Sequence, residues 1–151
     1  MPHLLFVYGT LKQGFFNHPI NEGRRVPGTF ATVERFGLYL IGARFLPWMV
    51  ALEQPGEPGE HVQGELYEVD DAALARMDVL ERVSEPGWYQ RVDLWVHPVG
   101  DAHAKPVACQ VYLAHAPKLK TEPVHCGPLV AYTPEIAAQY RYGGPLPQEL
   151  A

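Results

Sequence analysis

The chain has one serine, Ser84, and two cysteines, Cys109 and Cys126, among its 151 residues. A lone serine outside any G-x-S-x-G elbow leaves a serine hydrolase without its nucleophile. Two thiols with no secretory leader predict reduced cysteines rather than a disulfide framework. In His125-Cys126-Gly127, adjacent side chains on an extended segment point apart, so Cys126 reads as structural rather than as a thiol nucleophile beside its base. The seven histidines are scattered, with no His-x-His, H-E-x-x-H or C-x-x-C spacing, so neither a metal nor a cofactor is expected. Basic charge is also scarce: 12 Lys and Arg against 17 Asp and Glu give a net charge of −5. Arg24-Arg25 and Lys118/Lys120 cannot supply the positive field that nucleic acid requires, and they read as solvated surface. No apolar run is long enough to span a bilayer and no basic start leads into an apolar h-region. The expectation is a cytoplasmic protein with no membrane partner.

With 47% hydrophobic residues, the length predicts a single globular domain over residues 1–151 with a real core. Its Gly- and Pro-rich end from Gly143 reads as a loose tail. Residues 3–8 form a buried apolar strand, and residues 15–21 an irregular or helical excursion ending near Gly23. Short β-rich runs at 29–33, 37–41 and 48–52, punctuated by Gly and Pro, have the cadence of a curved sheet or barrel. Residues 54–60 form an exposed turn, followed by a strand over 62–69. Asp70 or Asp71 caps a helix running to about Arg82. Strands at 91–97 and 107–114 follow, the second with Val107, Cys109, Val111 and Leu113 on one face. Thr133-Pro134-Glu135 opens a short helix. The class is α+β.

Two features carry chemistry. In Phe6-Val7-Tyr8-Gly9-Thr10-Leu11-Lys12 an apolar strand runs into a tight glycine turn, a place where backbone N–H groups can hold an anion or oxyanion. The Gly9-to-Gly14 spacing matches a phosphate loop, but Phe15 and Phe16 stand where that motif needs Lys and Ser/Thr, which disfavours a phosphate cradle. The second feature is Glu81. At 100° per residue it falls inside the apolar stripe of Ala73, Leu74, Met77 and Leu80. An inward carboxyl is either satisfied by an internal partner or held in a cavity where a raised pKa is useful, and periodicity alone leaves both open. Asp78, at the edge of the stripe, reads as solvated. Tyr89 and Arg91 share one side of the next strand. They either reach substrate together or serve as a core tyrosine and a structural ion-pair partner.

These segments occur in a consistent order. Val7-Tyr8-Gly9-Thr10-Leu11-Lys12-Gln13-Gly14 is followed by Asn17-His18, Pro47-Trp48, Val62-Gln63-Gly64-Glu65-Leu66-Tyr67-Glu68-Val69, Asp78-Val79-Leu80-Glu81 and Tyr89-Gln90-Arg91. Over roughly residues 3–115 the chain resembles the γ-glutamylcyclotransferase-like superfamily, and within it the γ-glutamylaminecyclotransferase branch. The resemblance implies a mixed β-barrel with flanking helices, a substrate-binding loop at Tyr8, Gly9, Thr10 and Leu11, and Glu81 as the catalytic acid–base group. It implies a small γ-glutamyl substrate whose own α-amino group attacks the γ-carbonyl, closing 5-oxoproline and expelling an amine. The alternatives are another γ-glutamyl substrate (a γ-glutamyl amino acid, glutathione or a biosynthetic intermediate) and a non-catalytic barrel that binds a small metabolite.

Overall fold

The computed structural model describes residues 2–15, 21, 23–101 and 103–138. The expected loose tail from Gly143, most of the 15–21 excursion and the Asn17-His18 pair lie outside these residues. The expected α+β class is observed. The strands are β1 (His3–Val7), β2 (Arg24–Thr32), β3 (Phe36–Ile41), β4 (Leu46–Ala51), β5 (Gln63–Val69), β6 (Tyr89–Pro98), β7 (Val107–Ala114) and β8 (Val124–Cys126). The helices are α1 (Asp71–Leu80) and the short α2 (Pro134–Ala137).

One sheet runs in the order β1-β5-β2-β6-β7, and β7 returns to β1 through a parallel pairing at Leu5 and Gln110. The other pairings in this sheet are antiparallel. A second sheet, β4-β3-β8, has β3 at its centre. Both faces of β1 are buried, which explains its nearly unbroken apolar sequence. Phe6 points inward with Leu66, Val96, Cys109 and Val111. Leu5 and Val7 face the opposite way, with Tyr67, Val69 and Tyr112, onto the Ala73, Leu74, Met77 and Leu80 stripe of α1.

Strand β2 starts five residues before the expected 29–33 run. Its register against β5 shifts between Val26 and Phe30, so a bulge absorbs Pro27 and Gly28, which would otherwise end a strand. Two elements lacked a readable signal. One is a 3-10 turn over Ala116–Lys120, and the other is β8, three residues held against Leu40 and Ile41.

The ends of α1 set up the site. The Asp70 side chain accepts the Ala73 N–H at 2.7 Å, capping the first turn. At the other end Arg82 N–H donates to the Val79 carbonyl and Val83 N–H to the Asp78 carbonyl, both at 3.1 Å. This is a Schellman stop, with Arg82 at φ 55° where glycine is usual. The helix therefore ends at Leu80, two residues earlier than the expected Arg82, and Glu81 becomes its C-terminal cap residue.

Candidate active site

A partly open cavity of about 630 Å³, its mouth included, lies where the end of β1, the end of α1, the start of β6 and the turn between β3 and β4 meet. It is lined by Tyr8, Gly9, Thr10 and Leu11 from the glycine turn and by Leu80 and Glu81 from α1. Arg44, Leu46 and Pro47, with Trp88, Tyr89 and Tyr112, complete the wall. The two features singled out in the sequence, the turn and the inward acid, thus open onto the same space.

The turn is held close to its neighbours. Lys12 N–H donates to the Gly9 carbonyl at 3.1 Å. A Cβ on Gly9 would meet Pro47 Cγ at 2.9 Å, so glycine is what lets the turn lie against β4. The Pro47 carbonyl in turn accepts the Tyr89 hydroxyl at 2.7 Å. Behind it Trp48, fully buried, donates its indole N–H to the His115 carbonyl at 2.9 Å and packs on the Tyr89 ring at 4.7 Å. Tyr8 is also anchored, its hydroxyl donating to the Tyr112 carbonyl at 2.7 Å. Burial and the nearby Glu81 charge both push the Tyr8 phenol well above its ordinary pKa, so it stays a neutral donor.

Glu81 is the only acid lining the cavity among the described residues. Burial pushes its carboxyl up to about 8. Its position at the C-terminal end of α1, where backbone carbonyls gather partial negative charge, acts in the same direction. Among the described residues none hydrogen-bonds its carboxyl. Of the two possibilities open for an inward acid, this is the cavity-held one.

Tyr89 and Arg91 separate. Tyr89 lines the cavity, whereas Arg91 is not among the lining residues. The Arg91 guanidinium grips Asp78 with both ends, Nε to Oδ1 at 3.0 Å and Nη2 to Oδ2 at 3.1 Å, and donates to Gln110 at 2.9 Å. Asp78 also accepts the Tyr112 hydroxyl at 2.7 Å. One expectation is therefore corrected, since Asp78 is not a solvated edge residue; of the two possibilities open for Arg91, its geometry is that of the structural ion-pair partner. The physical reason is the helix phase. Asp78 lies one turn before Glu81 on the side facing β6 and β7, where a bidentate pair joins the last turn of α1 to the sheet.

Arg44, Leu46 and Trp88 had no site signal in the sequence. Tyr112 could have been found, since it falls on the opposite face of β7 from Cys109 and Val111.

A family model described as "Gamma-glutamyl cyclotransferase, AIG2-like" matches residues 5–131. The chain belongs to this family. It is 40% identical over 121 residues to the γ-glutamylaminecyclotransferase of Mus musculus, covering 74% of this chain and 77% of that one. The human γ-glutamylaminecyclotransferase is 39% identical over 103 residues, covering 65% of this chain and 64% of its own. Among solved structures, an AIG2-like protein from Mus musculus superposes with a TM-score of 0.71 at 33% identity, over 95% of this chain and 96% of that one.

Proposed function

We propose that this protein is a γ-glutamylamine cyclotransferase that converts γ-glutamyl amines to 5-oxoproline and the free amine. The reading rests on one observation, an acid pushed up to about 8 and lacking a hydrogen-bond partner among the described residues, facing the cavity formed with the Tyr8–Leu11 turn. The substrate's α-nitrogen forms a bond to the γ-carbonyl carbon, and the bond from that carbon to the leaving nitrogen breaks. The α-ammonium must lose a proton before it attacks, and the leaving nitrogen must gain one before it departs. Glu81, in its ionised form, accepts the first proton and delivers the second. A pKa near those of amines makes both transfers nearly thermoneutral. The ring nitrogen still carries a surplus proton after attack, which passes to the expelled amine as the lactam forms, so the products are 5-oxoproline and an ammonium, Glu81 ends ionised as it began, and atoms and charges balance.

The backbone of the Tyr8, Gly9, Thr10 and Leu11 turn is suited to hold the substrate carboxylate or the developing oxyanion, where one donor is typically worth about 3 kcal/mol. Tyr89 and the Pro47 wall keep the glutamyl chain curled, and orientation of this kind contributes on the order of 7 kcal/mol or more. The names borne by the mouse and human relatives favour the amine branch. The test is 5-oxoproline release from a panel of ε-(γ-glutamyl)-lysine, a γ-glutamyl alkylamine, a γ-glutamyl α-amino acid and glutathione. The expected result is a higher kcat/KM for the first two. A preference for glutathione moves the protein to another branch, and no 5-oxoproline from any substrate leaves the metabolite-binding barrel.

A further inference from the structure

Arg44 lines the cavity, yet the mechanism above gives it no task. Its Nε is buried without a hydrogen-bond partner. A guanidinium with an unanswered buried donor is an incomplete anion site, because the desolvation cost is offset only when a partner arrives. Other cations near the cavity wall already have company. Arg82 lies 4.6 Å over the Trp88 ring and pairs with Glu85 at 3.8 Å. Lys118 sits 3.7 Å over the same ring and feels the charge of Glu122.

The backbone presenting Arg44 is tightly specified. Gly42, at φ 76°, donates its N–H to the Pro123 carbonyl at 2.8 Å, and its carbonyl accepts the Phe45 N–H at 3.2 Å. Phe45 adopts φ 55°, a left-handed conformation that a side-chain-bearing residue adopts only under constraint. Its ring stacks on His125 at 3.8 Å, and the His125 Nε2–H donates to the Gly42 carbonyl at 2.7 Å. A strained residue held on both sides, directly beside a cavity-lining arginine, marks a fixed presentation. Arg44 enters the cavity from the turn between β3 and β4, whereas Glu81 enters from the end of α1.

We infer that Arg44 is a specificity-determining residue that pairs a carboxylate on the leaving portion of the substrate, remote from the scissile amide. The inference rests on the cyclotransferase reading and names its substrate class: γ-glutamyl conjugates of amines that carry a distal carboxylate. Discrimination comes from leaving the guanidinium unpaired when the conjugate is neutral.

The test compares γ-glutamyl-5-aminopentanoate with γ-glutamyl-pentylamine, alike except for the terminal carboxylate, and adds γ-glutamylglycine as a distance control. The wild type is expected to favour the 5-aminopentanoate conjugate over the pentylamine conjugate by about tenfold or more in kcat/KM. Arg44→Ala should bring the ratio to within about twofold, and Arg44→Lys should restore part of it. Should Arg44→Ala fail to fold, product inhibition of the wild type decides: 5-aminopentanoate must inhibit more strongly than pentylamine, and less so at high salt. No wild-type preference, or a preference intact in Arg44→Ala, overturns the assignment. An equal gain for γ-glutamylglycine overturns the remote placement. If no conjugate yields 5-oxoproline, the cyclotransferase reading itself fails and the assignment falls with it.

Discussion

Replacing Glu81 by Gln should make the protein inactive and more stable, and the gain in stability should grow with pH. The carboxyl goes from its ordinary value of 4.5 to about 8. Below pH 4.5 it is neutral in both folded and unfolded chains and contributes no difference. Between 4.5 and 8 the unfolded chain ionises while the folded one retains its proton, so wild-type stability falls by up to about 1.4 kcal/mol per pH unit. The accumulated loss is about 2 kcal/mol at pH 6 and approaches 4 to 5 kcal/mol at pH 8, before relaxation of the site reduces it. Glutamine keeps the shape and has no proton to exchange, so it escapes the loss. The variant's Tm should match the wild type near pH 4.5 and exceed it by up to about 10 °C at pH 8. Over the same range wild-type kcat/KM should rise nearly tenfold per pH unit and level off near pH 8, as the base form fills. The variant should lose at least about a hundredfold. Calorimetry from pH 5 to 9 and a 5-oxoproline assay read both effects. Parallel Tm curves for the two proteins would refute the raised pKa, and retained turnover would remove Glu81 from the chemistry.

Three further outcomes follow from the same geometry. Gly9→Ala drives a Cβ to within 2.9 Å of Pro47 Cγ, which should destabilise by about 1 to 3 kcal/mol and lower kcat/KM by displacing the turn; wild-type activity would show that the wall yields freely. Arg91→Ala strands the Asp78 carboxylate and should lower stability by about 1 to 3 kcal/mol, with kcat falling more than KM rises, because α1 loses its clamp; a dominant KM effect measured by initial rates would return Arg91 to the substrate. Cys109→Ala and Cys126→Ala should stay active with no glutamyl adduct in mass spectra, since burial pushes the Cys109 thiol up to about 12 and aminolysis from within the substrate needs no thiolate; a trapped thioester would contradict this.

Where the sequence was legible, a local period or a local turn specified the element. The strand at β1, the α1 stripe with its Asp70 cap and the Thr133-Pro134 helix start each carry their signal within a few residues, and each is observed. Where the element depends on a partner strand, the signal is absent. The Arg24-Arg25-Val26-Pro27-Gly28 stretch has two charges, a proline and a glycine, and only pairing with β5 through a bulge makes it a strand. Strand β8 has three residues, too few to show a period, and exists because β3 offers an open edge.

The same division runs through the site. Glu81 announced itself because a helix repeats, so a charged residue on the apolar stripe is visible in one turn of sequence. Arg91 and Asp78 could not be paired that way: Asp78 looks exposed on its own element, the strand of Arg91 leaves an ion pair and a substrate contact equally open, and only the packing of α1 against β6 brings the two together at 3.0 Å. Arg44 is the extreme case. It sits in a turn between two apolar strands, where a lone arginine ordinarily means solvent, and the burial of its Nε goes with a turn held in place by Pro123 and by His125 of β8. The acid proposed to do the chemistry is thus encoded locally. The group argued to choose the substrate depends on the least legible strand in the fold, so Phe45→Gly, which removes the ring stacked on His125 at 3.8 Å, should weaken selectivity for a distal carboxylate while leaving the pH profile of Glu81 in place. A profile that shifts with the selectivity would mean that the two ends of the cavity are not independent.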